Sequence, residues 1–173
     1  MRNAMRSRNK QRGSAMVEFV IAGIAGITLI ITTVQMGIAM WNYHTLAEAV
    51  HETNRFIASH GRNCTVGGRN CGITVGDIAT RLQSLAIGIP GSSINMTLTS
   101  TNSTQNYNPV SSYTSDTTQW PPADNFDNSP GNYTTISAKI TVPSVLIMLW
   151  YGMQGQSISS ITMTSTSSVP IVF

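Results

Sequence analysis

Only a few groups of residues have types and spacings that could do chemistry. Glu48 and His51 stand in a Glu-x-x-His pattern, with His44 one turn earlier on the same side of a helix. Carboxylate-bridged metal sites on helices use that spacing, but they draw further carboxylates from other helices. The one obvious helical candidate here is Asp77, and a solvated polar face accounts for the same residues. His60, Cys64 and Cys71 offer three zinc-type ligands, where a structural site takes four at a tighter spacing. The two cysteines can instead pair with each other in an oxidising compartment. Closing so small a loop would stabilise the fold by about 2–3 kcal/mol in the chain-entropy model. The last group is Gly13, Ser14 and Glu18, a carboxylate at the mouth of an uncharged apolar run. Serines are plentiful, yet there is no GxSxG elbow, no phosphate-binding loop and no dinucleotide fingerprint. No catalytic residue, metal or cofactor is expected, and the chain reads as a non-enzyme.

The elements that position these groups begin with Phe19–Trp41, 23 residues without a charge. At helical rise this run is about 35 Å long, against a hydrocarbon core of roughly 30 Å. It is too long for the apolar region of a secretory signal peptide and runs on into further helix. A single-pass membrane anchor in contact with lipid follows. Arg2, Arg6, Arg8, Lys10 and Arg12 precede it, which places the N-terminus in the cytoplasm and everything after about Trp41 outside. From Ser14 onward, five basic residues face seven acidic ones, a net −2. The basic character of the chain therefore belongs to residues 1–13, and the body lacks the basic stripe of a nucleic-acid binder. Only 10% of the 173 residues are charged, against roughly 25% in an ordinary soluble domain.

Helical periodicity continues beyond the span. Leu46, Val50, Thr53 and Ile57 share one side, and His44, Glu48, His51 and Arg55 the other. The pattern predicts one helix over 14–60, stopped at Gly61. A second helix is expected over about Val75–Ala86, with Ile78, Leu82 and Leu85 on one face and Asp77 in its first turn. Period-2 alternation predicts three strands, at Ser93–Ser100, Tyr133–Val142 and Ser157–Thr166. Between the first two lies a polar stretch, 101–132, long enough to be expected as a functional or disordered loop. Its Tyr107, Tyr113, Trp120 and Phe126 are either contact anchors for a partner or incidental aromatics on a mobile loop. Val145–Tyr151 is apolar but far too short to cross a bilayer. The expected architecture is α+β: a long N-terminal helix, then an exported domain over 61–173 with a short helix and about three antiparallel strands.

Arg12-Gly13-Ser14-Ala15-Met16-Val17-Glu18, set between a basic leader and a full-length span, resembles the processing site of type IV pilin-like precursors. Together with the continuation into Asn42–Gly61, it resembles the TadE-like family of minor pilins and pseudopilins of tight-adherence (Flp-type) pilus systems. The likeness is best over about Arg12–Gly61 and looser beyond. It implies that a prepilin peptidase cuts between Gly13 and Ser14, and that the freed helix packs with other pilin-like subunits at the pilus assembly platform in the bacterial inner membrane. Physical chemistry fits this. A carboxylate within a span costs about 2.5–3.5 kcal/mol at the helix centre and less near its end. Cleavage would create an ammonium on Ser14, one helical turn from Glu18. That ammonium could meet its own Glu18 or a neighbour's. Glu18 could also be a helix-start residue with its head in water. Ala15, Ala22, Gly26, Thr33 and Gly37 form a line of small residues suited to close helix packing. An uncleaved, signal-anchored binding protein or sensor of the cell envelope is the alternative reading.

Overall fold

One helix, α1, takes the chain from Arg2 to Ala58 in this computed structural model. The structure describes residues 2–60, 65–66, 69–70, 72–122, 127, 129–143 and 160–172, with the side chains of 2–14, 65–66, 69–70 and 143 excepted. The helix starts twelve residues before the Ser14 expected from the sequence. Residues 1–12 are Arg, Lys, Gln, Met, Ala, Asn and Ser without proline, and Gly13 costs a helix only about 1 kcal/mol. Two compact units divide the chain: residues 1–38 with 144–159, and residues 39–143 with 160–173. The second of these is the head.

Within the head, the last stretch of α1 behaves as a core helix. Leu46, Ala49, Val50, Thr53 and Ile57 are all fully buried, while His44, Glu48, His51 and Arg55 are exposed. Both faces match the stripes in the sequence. The helix ends with Ser59 N–H on Arg55 O (3.1 Å) and His60 N–H on Ile57 O (3.0 Å). Gly61 and both cysteines lie outside the described residues. Two short strands, β1 (Thr65–Val66) and β2 (Arg69–Asn70), pair antiparallel inside the cysteine loop.

After β3 (Ile73–Thr74) comes α2 (Val75–Leu85), which starts with a capping box. Thr74 Oγ1 accepts from Asp77 N–H (3.2 Å), and the Asp77 carboxylate accepts from Thr74 N–H (2.9 Å). Two otherwise orphaned donors are satisfied at once. Val75, Ile78, Ala79 and Leu82 face inward.

The main sheet has four antiparallel strands in the order β5-β4-β7-β8, namely Thr104–Tyr107, Ile94–Thr99, Tyr133–Pro143 and Ser160–Pro170. Its buried face carries Ile94, Met96 and Leu98 of β4, Ile136, Ala138 and Ile140 of β7, and Met163 of β8. The opposite face is a hydroxyl surface, where Thr135 pairs with Ser168 and Ser137 with Thr166, each at 2.9 Å. Two expectations are corrected. The last strand runs to Pro170, because Ser165–Val169 extends the alternation past Thr166, and 157–159 lie outside the described residues. The sheet also gains a fourth strand from the polar stretch.

That stretch, 101–132, is not a free loop. Its β5 pairs with β4, and β6 (Gln119–Trp120) pairs with β3. Between them a 310 turn spans Val110–Tyr113. Tyr107, Val110 and Trp120 are buried, and Tyr113 packs half-buried against the core. The Tyr107 and Tyr113 rings meet edge-on, 5.0 Å apart. These three aromatics are therefore core residues, neither partner anchors nor incidental; Phe126 lies outside the described residues. Val75 N–H donates to Thr118 O (2.8 Å) and Gly76 N–H to Asp116 O (2.9 Å), so the stretch also closes the start of α2. Only glycine fits at 76, since a Cβ there would sit 2.7 Å from Asp116 O and 2.8 Å from Thr114 O.

Candidate functional site

The functional surface begins in the first unit, on α1. Gly13 and Ser14 have helical backbone, and their surroundings are outside the described residues. Glu18 is exposed. Over Ala15–Ala58 the helix is long and apolar enough to cross a membrane, and its most apolar 18 residues are not buried among the described residues. Phe19 is 79% exposed and Leu29 69%, an apolar surface far beyond what a water-facing helix carries. The threonine hydroxyls within it are already satisfied. Thr28 Oγ1 donates to Ile24 O (2.8 Å), Thr32 Oγ1 to Thr28 O (2.7 Å) and Thr33 Oγ1 to Leu29 O (2.9 Å). In hydrocarbon, where no water can take these protons, such back-bonding is what a threonine needs.

Ala15, Ala22, Gly26, Thr33 and Gly37 are exposed along this surface. A Cβ placed on Gly26 or Gly37 would meet nothing within 4 Å. The small-residue line is thus open to whatever packs on it.

On the head, the polar face of α1 serves structure. Glu52 and Arg55 form an exposed ion pair (3.4 Å), a contact of small energetic weight. His51 Nδ1 lies 3.3 Å from Ser167 Oγ. Buried Asn54 donates from Nδ2 to the same hydroxyl (3.2 Å) and to Thr134 O (3.3 Å), tying α1 to β7 and β8. Among the described residues, no three metal-ligating side chains come together.

Asp127 is the head's most elaborate polar centre and gives no sign in the sequence. It is fully buried. Its carboxylate accepts from Ser100 Oγ (2.6 Å), Asn102 Nδ2 (2.7 Å) and Asn102 N–H (3.1 Å). Burial pushes its pKa up, but hydrogen bonds from Ser100, Ser103 and Asn102 outweigh burial and hold it below the usual carboxylate range. Asp116 is likewise lowered, by its bonds from Thr118. Burial, with Asp116 and Tyr113 nearby, raises the Tyr107 phenol. Asp127 ties the 101–132 segment to Ser100 at the end of β4, whereas the Asp116 carboxylate bonds within the segment, to Thr118 N–H (2.8 Å). The capping box was open to a sequence signal, Thr74-x-x-Asp77 ahead of an apolar helix; the Asp127 and Asn54 contacts span separations that no local pattern reports.

Residues 13–55 match the family model for TadE-like proteins. No curated protein and no solved structure matches the chain. The match covers Gly13, Ser14, Glu18, the apolar run and most of the core-packing part of α1. The matched family is one associated with Tad pilus assembly. Along the helix from Gly13 to Arg55, this chain is similar to TadE-like proteins.

Proposed function

We propose that this protein is a minor pilin or pseudopilin of a tight-adherence pilus system. Its N-terminus lies in the cytoplasm, its apolar helix crosses the bacterial inner membrane, and its head stands on the outer side. A prepilin peptidase removes residues 1–13, and the freed helix packs with other pilin-like subunits along Ala15, Ala22, Gly26 and Gly37. Glu18 pairs with the new Ser14 ammonium, its own or a neighbour's. Cys64 and Cys71 close a disulfide in the head. The observation that carries this reading is the family match, which begins at Gly13 and runs down a helix whose apolar residues are exposed among the described residues. Such a helix buries its surface in lipid or against like helices.

Intact-mass measurement and N-terminal sequencing of the protein from membranes containing a matching prepilin peptidase test the reading. The expected mature chain starts at Ser14. A chain that still starts at Met1 in a piliated cell would overturn it and favour an uncleaved signal-anchored protein.

A further inference from the structure

The end of the head nearest the apolar run is itself suited to lipid. Ala39, two residues before the run ends at Trp41, already packs against the head's core. Asn42 joins Gly88, Pro90, Ser93 and Val142 around a pocket of about 210 Å³. Val142 pairs in turn with Ile161 across β7 and β8. Three segments therefore meet at this end: Ala39–Thr45, Ala86–Ser93, and Thr141–Pro143 with Ser160–Thr162. None of them contains an Asp, Glu, Lys or Arg. Yet they carry exposed large apolar groups, with Ile87 70% exposed and Trp41, Tyr43 and Ile161 exposed as well. The opposite end is marked by Val172, whose N–H bonds to Ala58 O (3.1 Å) close to Arg55 and His60.

We propose that this uncharged end is a foot that enters the headgroup layer of the membrane, with Ile87 as its lipid contact. The inference rests on the reading of the apolar run as a membrane span. A run of about 35 Å exceeds a hydrocarbon core of roughly 30 Å, and the headgroup layer adds about 5–8 Å on each side. Ala39 to Tyr43 then lie in that layer, and any surface packed beside them lies there too. Trp41 and Tyr43 are the residue types that favour this depth. A charge-free surface enters it without the desolvation cost that a lysine or aspartate would carry. Continuity with the span thus selects lipid as the occupant over a neighbouring protein.

Photocrosslinking of the full chain tests the foot. Benzoylphenylalanine is placed at position 24, 87 or 172, and each protein is reconstituted in vesicles of phosphatidylethanolamine and phosphatidylglycerol. Native Ile24, Ile87 and Val172 are each more than half exposed, so the probe does not disturb the core. After illumination, mass spectrometry should find phospholipid adducts at 24 and 87 and none at 172. Adducts at 24 without any at 87 would overturn the foot and leave the membrane anchor standing. Adducts from 87 to a second copy of the chain, in place of lipid, would make this end a subunit contact and also overturn it. Absence of adducts at 24 would remove the anchor, and the foot with it.

Discussion

Glu18 is exposed at the start of an apolar surface that is uncovered among the described residues. If it pairs between subunits with the ammonium of a processed Ser14, Glu18→Gln keeps the shape and removes the charge. Leader removal should then persist, while surface pili should be lost through absence of an ion pair in low dielectric. Immunoblots for cleavage and electron microscopy for pili read both; normal piliation by a cleaved Glu18→Gln protein would reduce the carboxylate to a helix-start residue. Asp127 makes a different prediction. Its pKa is lower in the folded protein than in the unfolded chain, so its stabilising contribution is complete above the unfolded value of about 3.9 and is lost as pH falls through the folded value. The melting-temperature gap between wild type and Asp127→Asn should hold at neutral pH and shrink below about pH 4. The two acids differed sharply in legibility. Glu18 announces itself as a lone charge beside 23 uncharged residues. Asp127 looks like any acid in a polar stretch, because Ser100 and Asn102 reach it from 27 and 25 residues away.

Among the elements, those with several periods of pattern could be read directly. The buried stripe of α1, the apolar face of α2 and the alternation of β4 and β7 each repeat often enough to stand out from composition. The strands β5 and β6 could not be read, having four and two residues. β6 is held by β3, distant in sequence, and β5 is a short polar arm of a hairpin with β4, so their stretch passed for a loop. Trp120 shows what that stretch does, since its side chain is 1% exposed in the core beneath β3. Trp120→Ala should destabilise the head by about 3–5 kcal/mol, the usual range for emptying a large aromatic site. Denaturant unfolding of the full chain in detergent measures this. A loss within about 0.5 kcal/mol, typical of a surface position, would mean that 101–132 does not build the core.

At the scale of the whole molecule, the sequence boundary between anchor and head is drawn in composition, at the end of the apolar run. The physical boundary lies elsewhere. Ala39 packs with the head, and Leu46, Ala49, Val50 and Ile57 form one wall of its core while belonging to the same helix as the span. The head is consequently not a detachable module. A cut at the natural-looking end of the helix, after His60, would strip the core of that wall and expose the inner face of β4 and β7 to water. Over evolutionary time, exchange of one head for another on a common anchor meets a seam inside α1 at about Ile38–Ala39, where the two units divide. Insertions in the head's surface turns meet no such restriction. The helix that holds the protein in place thus also governs how its outer part can be inherited, as one piece with the last five turns of its own tether.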